Sequence, residues 1–163
     1  MGNGFSLCCN NCGKKMEVYL SVGMGFPRAY MQNIKMIKDG EFGPEGVDFF
    51  KKHPDGAITC ERQLDRCTKC GQYQNVYSLD LCVPKDGFAQ NEKHDAAWST
   101  AMPFNEASYV APYSIRQNYT IVDTIKQYCP DCNGLLERVT DMHNLPCPDC
   151  SKTLTISGEF RWD

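Results

Sequence analysis

The sequence lacks any long hydrophobic run. No stretch approaches the ~18–20 apolar residues that span a bilayer, so a membrane-spanning helix is not expected. It also lacks a basic segment followed by an apolar one at the N-terminus, the pattern of a secretory signal. Charge of one sign is missing too: 17 Lys and Arg face 20 Asp and Glu, for a formal net charge of −3. A protein that grips nucleic acid by its backbone usually carries a positive excess. No glycine-rich phosphate loop, Ser–His–Asp order or carboxylate pair stands out, so no catalytic residues are assigned and an enzyme is not expected. Histidine is scarce, with three in the chain.

Cysteine, by contrast, is abundant. There are eleven in 163 residues, at positions 8, 9, 12, 60, 67, 70, 82, 129, 132, 147 and 150. An odd count with no export signal argues against a secreted disulfide framework. Asn118-Tyr119-Thr120 fits a glycosylation acceptor but has no meaning without export. A cytoplasmic location is expected, where clustered thiols serve as metal ligands or catalytic groups.

Eight of the eleven fall in four C-x-x-C pairs: Cys9/Cys12, Cys67/Cys70, Cys129/Cys132 and Cys147/Cys150. The first two end in Cys-Gly, and the last two share the string Cys-Pro-Asp-Cys. Both patterns suit a tight knuckle. A residue after the second cysteine needs positive φ, which glycine accepts, and proline after the first presets φ. Thiolate is a soft ligand, and four complete a tetrahedron around zinc. Grouped by proximity along the chain, Cys9, Cys12, Cys67 and Cys70 would hold one ion. Cys129, Cys132, Cys147 and Cys150 would hold the other. Two zinc ions are therefore expected, with iron the alternative occupant of the same sulfurs. Four protein sulfurs per ion leave no open position, so both sites read as structural. Each zinc with its four thiolates adds −2, taking the chain to about −7. A dithiol redox motif would occur once, at a helix start, rather than four times.

Around the knuckles the texture is of short strands: Phe5–Cys8, Lys15–Val22, Val76–Val83, Tyr119–Tyr128, Leu135–Val139 and Leu154–Ile156. Residues 28–38 instead set Tyr30, Ile34 and Ile37 at helical spacing. Pro44 suits the first turn of a second helix over Gly46–His53, stopped by Pro54-Asp55-Gly56. Residues 84–111 have weak periodicity and read as a long loop.

These features resemble the four-cysteine zinc-ribbon, rubredoxin-like class, and more loosely small bacterial proteins carrying an interrupted ribbon. The resemblance covers the last ~35 residues well and the N-terminal half more loosely. It implies zinc and a β-ribbon. Members of the class act in transcription, in RNA and ribosome work, and as docking modules, and the fold does not choose among these.

The expected architecture is mostly β with a small helical insertion. It comprises two zinc ribbons, the first interrupted by about fifty residues. The expected domains are residues 1–83, an N-terminal ribbon with the insertion; 84–116, a loop or interaction segment; and 117–163, a C-terminal ribbon. The expected function is a non-enzymatic adaptor that binds another protein, through the insertion Met24–Phe50 or the aromatic segment with Phe88, Trp98, Phe104, Tyr109 and Tyr113. The alternative is a nucleic-acid-binding ribbon whose face is N-terminal, where Lys14, Lys15, Arg28, Lys35 and Lys38 oppose Glu17 and Asp39. His94-Asp95 reads as a solvated pair, His143 as a turn residue, and Cys60 and Cys82 as buried small hydrophobes.

The opening string MGNGFSLCC also matches an N-myristoylation pattern with nearby palmitoylation cysteines. Cys9 as a metal ligand is unavailable to a second lipid, and one myristoyl chain binds membranes only marginally. No membrane partner is expected.

Overall fold

A computed structural model describes residues 1–86 and 109–163. The protein is mostly β and contains two compact units, neither continuous in sequence. The first comprises Met1–Met24, Glu61–Tyr77 and Lys126–Asp163; the second comprises Gly25–Cys60 and Ser78–Ile125. The chain therefore passes back and forth between units, unlike the consecutive domains 1–83, 84–116 and 117–163 expected from sequence.

The first unit holds two three-stranded antiparallel sheets. Strands β1 (Gly2–Cys8), β2 (Lys15–Leu20) and β9 (Thr155–Trp162) form one in the order β2-β1-β9. Strands β4 (Arg62–Cys67), β5 (Tyr73–Tyr77) and β8 (Leu136–Arg138) form the other in the order β5-β4-β8. In β2 the alternation read from sequence places Val18 in the core and Lys15 and Glu17 in solvent. The core of this unit gathers Leu7, Val18, Leu64, Leu145 and Leu154 around Cys9 and Cys147.

The second unit contains α1 (Phe26–Lys38), α2 (Pro44–Lys52) and α3 (Pro112–Asn118). Its sheet has the order β3-β6-β7, from Ala57–Ile58, Asp80–Pro84 and Tyr119–Thr124. Both expected helices of the insertion form. Helix α1 starts with proline in its first turn and ends with Lys35 and Lys38, which favour the negative end of the helix dipole. It buries Phe26, Tyr30, Asn33 and Ile37, a spacing that keeps one face inward. Helix α2 repeats the design with Pro44, Glu45 in the first turn and Lys51 and Lys52 in the last. The insertion's aromatics Phe26, Tyr30, Phe49 and Phe50 are thus core rather than docking surface. Burial is also why the Tyr30 hydroxyl resists ionisation, outweighing the Ile58 backbone amide that favours the charged form.

One expected strand divides. Residues 76–83 read as a single run, but β5 ends at Tyr77 and β6 begins at Asp80. Ser78 and Leu79, both buried, carry the chain into the second unit. There the Ser78 carbonyl accepts from the Cys60 amide and the Leu79 carbonyl from the Ile125 amide. Next to them the buried Asp80 carboxylate accepts from Thr59 Oγ1 at 3.0 Å and Thr124 Oγ1 at 2.8 Å, so each of its oxygens has a donor. Phe88, His94, Asp95, Trp98 and Phe104 lie outside the described residues.

Candidate metal centres

All four C-x-x-C pairs adopt one conformation. In each, the amide of the first cysteine donates to the carbonyl five residues on, and the amide four residues on donates back to that cysteine's carbonyl. The first set is Cys9 to Lys14, Cys67 to Gln72, Cys129 to Gly134 and Cys147 to Lys152. The return bonds come from Gly13, Gly71, Asn133 and Ser151. Those four residues sit at φ of 76°, 73°, 56° and 61°, the left-handed region that closes such a turn. Asparagine and serine occupy it in the Cys-Pro-Asp-Cys pairs, so glycine is not obligatory. The flanking residues pair across every hairpin in the same register: Cys8 with Lys15, Arg66 with Tyr73, Tyr128 with Leu135, and Pro146 with Thr153.

The knuckles combine into two groups of four sulfurs. Cys9, Cys12, Cys147 and Cys150 form an outer centre, and Cys67, Cys70, Cys129 and Cys132 form an inner centre nested between its halves in sequence. Within each group all sulfurs lie within 4.8 Å of one another. The outer centre has Cys9–Cys150 at 3.4 Å and Cys12–Cys147 at 3.5 Å. The inner has Cys67–Cys132 at 3.4 Å and Cys70–Cys129 at 3.8 Å. A tetrahedron with metal–sulfur bonds of ~2.3 Å has edges of ~3.8 Å, so both sets fit one ion.

This pairing corrects the sequence expectation. Cys9 and Cys12 join Cys147 and Cys150, not Cys67 and Cys70; Cys129 and Cys132 join Cys67 and Cys70. Both ribbons, not only the first, are therefore interrupted. The cause is strand pairing. β8 follows the third knuckle and pairs with β4, setting Leu136 opposite Cys67. β9 follows the fourth knuckle and pairs with β1, setting Thr155 opposite Cys8 and so Leu154 level with Cys9. Leu136 and Leu154 hold the same place after their knuckles, and both are buried. Their amides donate to Gln127 and Leu145, each two residues before the knuckle's first cysteine. The two ribbons are copies of one plan. The sequence carried a usable signal: each centre takes one Cys-Gly knuckle and one Cys-Pro-Asp-Cys knuckle, whereas proximity grouped like with like.

Backbone amides tune the sulfurs. The Cys12 and Asn11 amides point at Cys9, opposing desolvation and lowering its pKa from 9.0 to about 6. Cys67 is lowered to about 6 in the same way by the amides of Cys70 and Lys69, the latter with its nitrogen 3.4 Å from the sulfur. For Cys12 the Lys14 amide pulls down, but desolvation and the neighbouring sulfurs outweigh it and the pKa rises to about 12. For Cys70 the Gln72 amide is outweighed by Cys132, desolvation and the other sulfurs, again to about 12. Each centre thus has one sulfur ready as thiolate at neutral pH and another that ionises once a cation replaces its proton. Cationic side chains bridge each centre's halves: Lys14 Nζ lies 3.2 Å from Asp149, and Lys69 Nζ donates to the Cys132 carbonyl at 3.2 Å.

The remaining cysteines stand apart. Cys60 and Cys82 are buried in the second unit, where burial pushes the Cys82 thiol to about 12. Cys8 ends β1, half-buried. His143 belongs to neither four-sulfur group, and its amide donates to Asp141 in a turn. Gly2 lies in β1 beneath the Trp162 ring, so this terminus is tied into a sheet. Among the described residues no helix is long and apolar enough to cross a membrane. Compared with protein-family models, curated proteins and solved structures, the chain matches none.

Proposed function

We propose that this is a non-enzymatic adaptor in which two structural zinc ions hold a duplicated ribbon, and that it works by binding another protein. The observation that carries the metal reading is the pair of four-sulfur groups with spacing suited to one tetrahedral ion each. Cys9, Cys12, Cys147 and Cys150 hold one zinc, and Cys67, Cys70, Cys129 and Cys132 the other. A full set of protein ligands supports a structural role, because catalytic zinc keeps a position for water or substrate. Zinc is favoured over iron because a d¹⁰ ion accepts this closed thiolate set without redox chemistry.

The protein-binding part rests on exposed apolar side chains in the second unit. Strand β7 leaves both faces open after Tyr119, with Ile121 57% and Val122 53% exposed, and Tyr113 on the preceding helix is 55% exposed. Edge strands of this kind are ready templates for an added strand. Elemental analysis of protein purified under reducing conditions should give two zinc ions per chain; none would end the metal reading, and iron would correct the ion. Affinity purification from the native host should retain a partner that the double variant I121D/V122D loses. Salt-sensitive retention on DNA or heparin, without such a partner, would transfer the assignment to nucleic acid.

A further inference from the structure

We propose that the two centres load cooperatively, so that filling one raises the metal affinity of the other. This rests on the reading of both centres as metal sites and deepens it.

The two ribbons share their packing. Leu64 belongs to β4, the strand that delivers Cys67 to the inner centre, yet its side chain is 1% exposed within the outer ribbon's core. There it meets Leu7, Val18, Leu145 and Leu154, in the same cluster as the outer ligands Cys9 and Cys147. Tyr73, just past the inner knuckle, donates its hydroxyl at 3.0 Å to the carbonyl of Pro146, the residue before Cys147. Asn75 stitches β5 to β2 with two bonds of 2.9 Å: Oδ1 accepts from the Tyr19 amide and Nδ2 donates to the Glu17 carbonyl. The Ser21 and Arg62 backbones exchange bonds of 2.9 and 2.8 Å, and the Val139 amide donates to the Leu64 carbonyl at 2.9 Å.

An ion at the inner centre fixes β4, β5 and the third knuckle. It thereby presents Leu64, Tyr73 and Asn75 to the outer ribbon already in place. The nested connectivity acts in the same sense. The halves of the outer centre are separated by residues 13–146, and those of the inner by residues 71–128. Once the inner centre closes, only residues 13–66 and 133–146 remain free on the path between the outer halves. Halving a loop in this way favours closure by about threefold, and shared packing adds to it. A coupling on the order of tenfold is expected, and linkage makes it equal in both directions.

The test uses the full chain. Reduced, metal-free protein is equilibrated in a zinc buffer to an average of one ion per chain and its species are counted by native mass spectrometry. Two independent sites, equal or unequal, leave about half of the chains or more with one ion; between sites of equal intrinsic affinity tenfold coupling lowers that share to about a quarter, and unequal affinities raise it. A singly loaded share clearly below half is the expected result. Zinc titration of the single-centre variants C9S/C12S and C67S/C70S gives the two intrinsic affinities and hence the share expected without coupling; a wild-type share at or above that value overturns the cooperativity while leaving the metal sites intact, and failure to take up zinc overturns the metal reading itself. The variant L64A/N75A keeps all eight ligands but removes the shared packing, and its singly loaded share should rise towards half. An unchanged distribution in that variant would overturn the proposed route of coupling.

Discussion

Replacing Gly134 with alanine would place a methyl carbon 2.6 Å from Lys69 Cβ and 2.7 Å from Cys67 Sγ. Ordinary contact is ~3.5–4.0 Å, so the overlap is about 1 Å. Neither neighbour can easily give way. The Lys69 amide donates to Cys67 Sγ, and Cys67 is held opposite Leu136 in the ladder. Gly134 itself donates no special backbone angle, since its φ is not among the positive ones; what the position requires is space. The other three knuckles place Lys14, Gln72 and Lys152 here, so the constraint belongs to the inner centre alone. Overpacking of this kind costs about 1–3 kcal/mol. Expressed in the metal-bound fold, it weakens the inner site by roughly 5- to 150-fold. Chelator competition on G134A should therefore find one weakened ion and one nearer wild type. The comparison variant is Gly13→Asn. Gly13 has φ of 76° but nothing within 4 Å of an added Cβ, and Asn133 already occupies the equivalent place at 56°. Its cost should stay below about 1 kcal/mol. If G134A binds both ions as tightly as wild type, or if G13N is the more damaging change, the distinction between space and backbone angle is wrong.

Acid should release the metal, because protons compete for thiolates and affinity therefore falls with pH. Cys9 and Cys67, lowered to about 6 by knuckle amides, are already ionised in the metal-free protein above that value. Below it each adds a proton to the competition, so the slope of log affinity against pH should steepen there; an unchanged slope in titrations from about pH 8 to about pH 5 would contradict the assignment. The variant C8S/C82A should still bind two ions per chain, with C82A costing stability on the order of 1 kcal/mol for the small cavity, and loss of an ion on elemental analysis would move a ligand to one of these positions. Gly4→Val should drive a side chain into the Phe160 ring that covers Gly4. The expected loss is about 1–3 kcal/mol by denaturant unfolding, partly restored in G4V/F160A, and additivity of the two changes would refute the contact.

Most local structure was legible because it depends on nearby residues. Tyr30, Ile34 and Ile37 announced α1, Pro44 marked the start of α2, and the alternation through Met16, Val18 and Leu20 marked β2. The eight clustered cysteines stood out for the same reason. What proximity could not supply was the partner of each knuckle, which depends on strands far apart in sequence. Cys132 and Cys147 are neighbours along the chain yet serve different ions, since β8 adds to β4 and β9 adds to β1. The split of residues 76–83 has a similar origin. The apolar run is continuous, but Ser78 and Leu79 find hydrogen-bond partners in the second unit, at Cys60 and Ile125.

The crosswise pairing follows from what each half can do alone. The two Cys-Gly knuckles cap full hairpins, with six paired positions between β1 and β2 and five between β4 and β5. The two Cys-Pro-Asp-Cys knuckles are each flanked by a single isolated bridge, Tyr128 with Leu135 and Pro146 with Thr153. Two such halves joined around one ion would have no hairpin ladder between them, and short isolated pairings are marginal in water. A short half is instead stabilised when the strand that follows it extends an existing hairpin, as β8 does beside β4 and β9 beside β1. Each centre therefore needs one knuckle of either kind. With both hairpins preceding both short halves in sequence, two matchings satisfy this: nested, as found, or interleaved. The nested one joins the second and third knuckles, the nearer of the two available partners for each, and leaves the first and fourth to close around them. The order of knuckle types along the chain thus narrows the topology to two, and the shorter closure selects between them.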